Sequence, residues 1–378
     1  MQRVPIPHHL PVSTLSASSG SNEAHIHPTP SAPAFDVTHQ ADSIGVPLGC
    51  AFHDSTSHLP STLTRTPPQH FRRSDELMMK PVFSSVAFPE LTLTQLVKLA
   101  APWGYLGVEL RTYGHGSTSS ACDPALTDNE KVRRLFEKAG IAIASLATSI
   151  RFDEVVTPPV IGHVITDTER SVRAGKGMVT LAVAIECPLV RVFGFEIESN
   201  ESMNSGIRRI ADRLFKVCDH ADRTGVRVMI ENGGTFSTAA QLSELIDAVD
   251  HPLLCAAYNA PVANAAGEKS ADGINVLGDR LACLKLRDFA KGRPCALGEG
   301  SLDNRAAVRA AANAGFNGWV VYEYDRSWFP DAKPALPDAA SVYESSARTL
   351  FGWITEFSTP APSHTPIKAQ APQRAGSR

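Results

Sequence analysis

The sequence predicts an α/β protein whose main body is a (β/α)8 TIM barrel, and two observations carry this prediction. Over residues 80–357, eight short apolar or β-branched runs alternate with helical patterns, which is typical of βαβ units in a parallel sheet. The same segment supplies the roughly 250 residues that one such barrel takes. An open doubly wound sheet is the structural alternative, although no GxGxxG motif follows the first run.

The predicted elements follow one another regularly along this segment. Each strand run leads into a helical stretch, and glycine stands where three of these stretches must stop before the next strand: Gly140, Gly225 and Gly315. The first helices are expected at 92–101, 127–139, 167–186 and 201–224, and a last one over 339–357 closes the ring. The predicted strands are 81–88, 106–111, 141–146, 189–194, 227–232, 253–259, 281–288 and 318–323.

Two flanking segments are expected to be disordered. Residues 1–79 are rich in Ser, Pro, Thr and His and have no apolar period, so they bury too little surface to offset the entropy of ordering. An organellar transit segment, or a true start at Met78 or Met79, remains open for this extension. Residues 358–378 form a short tail of the same kind.

Composition excludes some functional classes. The chain has 36 basic and 39 acidic residues and a formal net charge of −3, which favours neither nucleic acid nor an anionic membrane as a partner. The most apolar stretch, 178–197, is interrupted by Glu186, Pro188 and Arg191 and is not a membrane span. Seven cysteines without CxxC spacing indicate reduced thiols, so a cytoplasmic protein is expected.

Polar residues fall near the ends of the last four predicted strands. Functional groups of such barrels lie at the C-terminal ends of the strands, and side chains alternate inward and outward along each strand. This parity places on one inner face Glu231, Asn259, Lys285 and Glu323. We therefore expect these four side chains to converge at one mouth of the barrel.

Five segments carry a resemblance to a known family. VMIENGG, YNAPVAN, CLKLRDFAKG, LGEGSLD and WVVYE occur in the order and spacing of the xylose isomerase-like TIM barrel family of sugar and sugar-phosphate isomerases and epimerases. The chain resembles this family over roughly 80–357. Family members usually carry Glu, Asp, His and Glu at the ends of strands five to eight, where they hold a divalent cation that polarises a sugar carbonyl or hydroxyl. The resemblance assigns these positions to Glu231, Asn259, Lys285 and Glu323.

Asn259 and Lys285 depart from the family pattern. An asparagine still offers one carbonyl oxygen to a cation, but a lysine ammonium has three donors, no lone pair and a positive charge. The preferred hypothesis is a metal-free site in which Lys285 takes the electrostatic role of the metal. A retained Mn²⁺, Mg²⁺ or Zn²⁺ on Glu231, Asn259 and Glu323, and a decayed site without catalysis, are the alternatives.

The resemblance implies proton transfer next to a sugar carbonyl or hydroxyl. Glu231 and Glu323 would take and return the proton, and Lys285 would stabilise the charge that develops on the substrate oxygen. Two other functions stay open: a non-catalytic sugar-binding or regulatory barrel, and an aldolase-like lyase with a Schiff base on Lys285. The DNA-repair endonuclease branch of the superfamily is not favoured, since its histidine-rich metal cluster and basic surface are missing.

Further residues at the predicted mouth suit an oxygen-rich ligand such as a sugar, sugar acid or sugar phosphate. Arginines there hold carboxylates or phosphates bidentately. The backbone amides of LGEGSLD can face an anion, or simply form a turn that ends in a helix cap. His115, in the second loop, is interpreted as an exposed histidine rather than a replacement ligand, and a homo-oligomer is left open. The proposed substrate-binding residues are Arg111, Arg191, Asn232, Asn259, Arg287 and Asp288.

Overall fold

A computed structural model describes residues 79–112, 128–155, 169–326 and 335–358 of the chain. Eight parallel strands close into a barrel in which each strand pairs with its neighbours along the chain and the first pairs with the last. The predicted (β/α)8 barrel is confirmed, and the doubly wound alternative is excluded because the sheet has no free edge. The strands are β1 Lys80–Ser84, β2 Gly107–Arg111, β3 Ala142–Arg151, β4 Leu189–Phe193, β5 Arg227–Glu231, β6 Leu254–Asn259, β7 Leu281–Leu286 and β8 Trp319–Tyr322.

Helices fill most connections and pack on the outside of the barrel. A two-stranded antiparallel hairpin, Phe289–Ala290 with Arg293–Pro294, follows β7, and short 3-10 turns span Ser85–Ala87 and Gly278–Arg280. The helices are α1 Leu93–Trp103, α2 Asn129–Ala139, α3 Arg170–Ala184, α4 Met203–His220, α5 Ala239–Val249, α6 Ala260–Ala265, α7 Ser270–Leu277, α8 Asn304–Asn313 and α9 Ala339–Ser358.

Local sequence explains where several helices begin and end. Thr92 and Thr238 open α1 and α5 with capping boxes, in which the threonine hydroxyl and a glutamine three residues later satisfy each other's backbone amides. Gly140 ends α2 with a φ of 66°, a left-handed conformation that glycine adopts without a Cβ penalty. The glycine stop predicted at this position is confirmed.

The barrel interior is narrow and changes character along its axis. Its lower layers are filled by aliphatic, sulfur-bearing and small side chains: Val82, Ala144, Leu189, Met229, Cys255, Ala257, Ala282, Cys283 and Val321. Above them, towards the C-terminal ends of the strands, the inward positions carry charged groups instead. Apolar packing thus supports a polar layer at the mouth, where barrel enzymes place their active sites.

The folded segment extends one residue beyond the expected bounds, 80–357, at each end. Met79, expected in the extension, is completely buried, and Ser358, expected in the tail, is the last residue of α9. The rest of both flanking segments, 1–78 and 359–378, lies outside the described residues, as does His115. The five described cysteines are free and buried. Within the described ranges, no helix is both long and apolar enough to cross a membrane.

Candidate active site

Lys285 is the centre of the charged layer. Its side chain points inward from β7, is fully buried, and stands in register with Asn259 on β6 and Val321 on β8. The ammonium nitrogen lies 2.6 Å from Glu323 Oε1, 3.0 Å from Glu231 Oε2 and 3.2 Å from Glu109 Oε2. An ammonium has three donors, as many as there are buried carboxylates around it, and its contact with Glu231 has hydrogen-bond geometry.

Glu231, the last residue of β5, accepts from three side chains. Asn259 Nδ2 donates to Oε1 at 2.8 Å, and Arg191 Nη1 donates to Oε2 at 3.0 Å, the same oxygen that Lys285 contacts. Burial alone would raise the pKa of this carboxyl, but the charges of Lys285 and Arg191 outweigh it and hold the pKa below its ordinary value. Glu231 is therefore ionised at neutral pH.

Glu323, immediately after β8, is held between two cations. Lys285 contacts Oε1, while Arg287 donates to Oε2 through Nε at 2.7 Å and Nη2 at 2.5 Å. Burial would raise the pKa of Glu323, yet Arg287 and Lys285 bring the pKa well below its usual range. In return, the surrounding carboxylates raise the pKa of Arg287 despite its burial.

The state of Lys285 follows from its neighbours. Burial favours the neutral amine, but Glu109, Glu231 and Glu323 together raise the lysine pKa above its ordinary value. The side chain consequently remains an ammonium at neutral pH. A Schiff-base nucleophile must instead present a neutral amine lone pair.

Glu109 on β2 is the member of the cluster that sequence reasoning missed as a lysine partner. It is completely buried and also accepts from Ser145 on the neighbouring strand β3 at 3.2 Å. Strand parity offered a signal, because Glu109 shares the inward face with Arg111 two residues later. Nothing in the sequence indicated that Lys285 would reach across the barrel to it.

Two of the proposed ligand residues, Asn232 and Asp288, use their side-chain polar atoms in hydrogen bonds to the backbone. Asn232 Oδ1 accepts from Asn259 N at 2.6 Å, and its Nδ2 donates to the carbonyls of Ser237 at 2.9 Å and Asn259 at 3.2 Å. Asp288 accepts four backbone amides, from Phe289 and Leu302 on one oxygen and from Gly298 and Gly300 on the other. Both side chains hold loops in place, which leaves a direct role in ligand binding without geometric support.

This arrangement also accounts for the LGEGSLD loop. The sequence left open whether its amides face an external anion or form a turn. The Asp288 carboxylate already takes the amides of Gly298, Gly300 and Leu302, while the Glu299 amide donates to the Ala296 carbonyl at 3.0 Å. An internal carboxylate thus occupies the place that an external phosphate would need.

The remaining proposed ligand residues lie at the mouth. Arg191 is 1% exposed and its guanidinium stacks over the Phe193 ring at 4.4 Å. Arg111 is partly exposed at the end of β2. Arg287 is engaged with Glu323, as described above. The structure brings these three arginines, Glu231, Asn259, Lys285 and Glu323 to one end of the barrel.

The donor set does not fit a divalent cation. Lys285 places an ammonium between the carboxylates that would be ligands, and Asn259 turns its Nδ2 towards Glu231 while its Oδ1 accepts from Val262 N at 3.4 Å. A metal ion needs lone pairs at these positions, but the Lys285 ammonium has none and Asn259 directs its NH₂ group towards Glu231. In the described part of the chain, no group of three or more His, Cys, Asp or Glu side chains is arranged to hold a metal.

Comparison with solved structures shows the same fold at low sequence identity. L-ribulose 3-epimerase is 15% identical with a TM-score of 0.61, covering 74% of this chain and 95% of that one. D-psicose 3-epimerase, solved in the presence of D-fructose, is 13% identical with a TM-score of 0.60, covering 74% and 100%. The IOLI protein with a binding zinc atom is 18% identical with a TM-score of 0.59, covering 74% and 99%.

Sequence comparisons give two further results. A comparison with curated proteins found no match. The model of the family described as xylose isomerase-like TIM barrel matches residues 97–349, which includes β2 to β8 and all of the charged layer. The match covers well over half of the chain and agrees with the closed eight-stranded barrel. The chain belongs to the xylose isomerase-like TIM barrel family.

Proposed function

We propose that this protein is a sugar isomerase or epimerase that works without a metal ion, with the Lys285 ammonium in the electrostatic role of the cation. One observation carries the proposal: a single buried ammonium contacts Glu231 and Glu323 together. The family membership and the similarity to L-ribulose 3-epimerase and D-psicose 3-epimerase support the reaction class. Sugar-type small molecules are accordingly the proposed ligands.

Each residue has a distinct role in this reaction. One of the carboxylates of Glu231 and Glu323 takes a proton from the carbon next to the substrate carbonyl, and the other carboxylate returns a proton. The electron pair left on carbon moves to the carbonyl oxygen, and it moves back to re-form the carbonyl when the second carboxylate returns a proton to carbon. Lys285 donates a hydrogen bond to that oxygen and stabilises its negative charge in a site shielded from water.

The hydrogen bonds of the cluster set a condition on this mechanism. Both carboxylates are fully engaged by cations, and their lowered pKa values make them weak bases. When the substrate oxygen takes one of the three Lys285 donors, the carboxylate that loses this donor also loses part of its stabilisation. Its pKa then rises towards its ordinary value, so it becomes a better base when substrate is bound.

Cations already bind both carboxylates, Glu231 and Glu323, and this favours a second candidate function. If substrate does not displace Lys285, the cluster is an ion network that fixes the shape of the mouth, and the protein is a non-catalytic sugar-binding or regulatory barrel. The aldolase-like alternative finds less support, because a lysine with a raised pKa offers no free amine for a Schiff base.

Solvent exchange tests the proposal even when the product has not been identified. The full chain is incubated in D₂O with a panel of ketoses, uronates and sugar phosphates, and deuterium at carbon is followed by NMR. We expect exchange on at least one compound and its loss, by about a hundredfold or more, in Glu323→Gln. Binding without exchange over the whole panel would instead support the sugar-binding barrel.

A further inference from the structure

Two arginines flank an alanine on neighbouring strands of the mouth. Ala147 on β3 stands in register with Arg111 on β2 and with Arg191 on β4. Parallel strands are spaced by about 4.8 Å, so the two arginine Cα atoms lie about 10 Å apart across a residue with almost no side chain. Glu231, Lys285 and Glu323 come from the opposite side of the barrel, at β5, β7 and the end of β8. Two arginines and one small residue thus stand next to one another on β2, β3 and β4.

One edge of the Arg191 guanidinium has no hydrogen-bond partner among the described residues. Nη1 donates to Glu231, and the flat face stacks on Phe193. Among the described residues, Nε and Nη2 of this buried side chain have no hydrogen-bond partner. Leaving charged donors buried and unpaired is costly, which points to a group that completes them.

The unpaired edge has the shape of a carboxylate receptor. Nε–H and one Nη2–H of an arginine run parallel on the same side, and they match the two oxygens of a carboxylate. Arg151 of the same chain shows this pairing, with Nε 3.1 Å and Nη2 2.8 Å from the two oxygens of Asp153. A carboxylate would satisfy both orphan donors of Arg191 at once.

Glu109 leaves a complementary acceptor one layer below. Its Oε2 contacts Lys285 and Ser145, whereas its Oε1 is buried and has no partner among the described residues. A hydroxyl group can donate to this oxygen. Glu109 and Arg191 flank the same strand, β3, where they stand in register with Ser145 and Ala147. Arg191 lacks an acceptor and Glu109 lacks a donor, and a hydroxy acid carries both.

We propose that the substrate class is a sugar acid that also carries an aldehyde or ketone group, whose carboxylate binds the Nε and Nη2 edge of Arg191 above Ala147 and whose neighbouring hydroxyl donates to Glu109 Oε1. This inference rests on the proposed function and narrows its ligand. Burial, followed by the repulsion from Arg191, lowers the pKa of Arg111, and an anion between the two guanidiniums relieves that repulsion. A planar carboxylate matches the two-donor edge better than a tetrahedral phosphate.

Isothermal titration tests the inference on the full chain. The probes are hexuronates, which carry both a carboxylate and a carbonyl group, the corresponding neutral aldoses, aldose 6-phosphates and neutral ketoses. We expect wild type to bind at least one uronate about tenfold or more tighter than its aldose. Arg191→Lys keeps the charge beside Glu231 but not the paired donors, so the same uronate should bind it about tenfold or more weakly. Arg151→Lys, whose edge is occupied by Asp153, is the matched control and should bind as wild type does.

Four outcomes overturn the inference. They are no uronate binding in wild type, equal binding of uronate and aldose, a preference for the phosphates alone, or an undiminished uronate affinity in folded Arg191→Lys. If that variant does not fold, the uronate and aldose comparison in wild type decides. Arg191-dependent uronate binding without deuterium exchange keeps the ligand class and removes the catalysis. Exchange on neutral ketoses without uronate preference does the reverse.

Discussion

The Lys285 ammonium and the Glu323 carboxylate form a fully buried ion pair of 2.6 Å between β7 and β8. Such a pair is stable only where the remaining donors and acceptors also find partners, because both charges have left water. Here Glu109 and Glu231 provide the other two carboxylate contacts of the Lys285 ammonium, and Arg287 binds the second oxygen of Glu323. The network therefore acts as a unit, and the loss of its centre should affect every member.

Replacing the central cation should destabilise the protein strongly. Lys285→Met leaves three buried carboxylates around an apolar side chain, and breaking a buried ion pair in this way costs about 3–5 kcal/mol. Urea denaturation at pH 7 measures the free energy of unfolding. The exposed Lys138 provides the control, since Lys138→Met should change stability by less than about 0.5 kcal/mol. Equal stabilities of the two variants would show that the cluster is not an energetic centre.

Restoring the family pattern should create a metal site. Asn259→Asp with Lys285→His replaces a donor and a cation by an oxygen and an imidazole ligand, and leaves Glu231 and Glu323 in place. After incubation with Zn²⁺ or Mn²⁺ and dialysis, we expect about one equivalent of metal in the double variant and a melting temperature that falls on chelation. Asn259→Asp alone sets two carboxylates against each other and should be destabilised. One equivalent in the wild type would contradict the lysine-for-metal hypothesis.

The positions of the four strand-end residues could be predicted, and their contacts could not. Period-two alternation and the regular spacing of strands placed Glu231, Asn259, Lys285 and Glu323 on one inner face, because a parallel barrel brings strand ends together. The contact of Lys285 with a third carboxylate, Glu109, depends on how far the lysine side chain reaches across the barrel. Short-range sequence patterns do not fix that distance. The role of Asp288 depends on the path of the 297–302 loop, which short-range sequence signals do not fix.

Acid should weaken the fold through the carboxylates of the cluster. The pKa values of Glu231 and Glu323 are lowered in the folded protein, so their stabilisation is complete above the unfolded pKa of about 4.3 and is lost as pH falls towards the folded values. Between about pH 5 and 3 the unfolded chain binds protons that the folded protein does not. Stability measured by urea at successive pH values should fall over this range. Glu323→Gln should show a shallower fall, and identical slopes would argue against the lowered pKa.

Asp288 should matter for the stability of its loop rather than for ligand affinity. Asp288→Asn replaces one acceptor oxygen by an NH₂ group that faces backbone amides, so at least two of the four hydrogen bonds are lost. Bonds to a charged acceptor are worth about 1.5–3 kcal/mol, and we expect a loss of stability of that size or more. Proteolysis within 297–302 should become faster. Unchanged stability together with weaker ligand binding would instead indicate that Asp288 contacts the ligand.

The protonation of Lys285 makes a clear prediction for covalent trapping. Schiff-base formation needs the neutral amine, but three buried carboxylates raise the lysine pKa above its ordinary value, so the amine fraction at pH 7 is below that of a free lysine. Incubation with ketoses or ketose phosphates and borohydride should give no reduced adduct on Lys285 by peptide mass spectrometry. Exposed Lys138 sets the background of non-specific reductive modification. A substrate-dependent adduct on Lys285 above this background would overturn the ammonium role and favour the aldolase-like lyase.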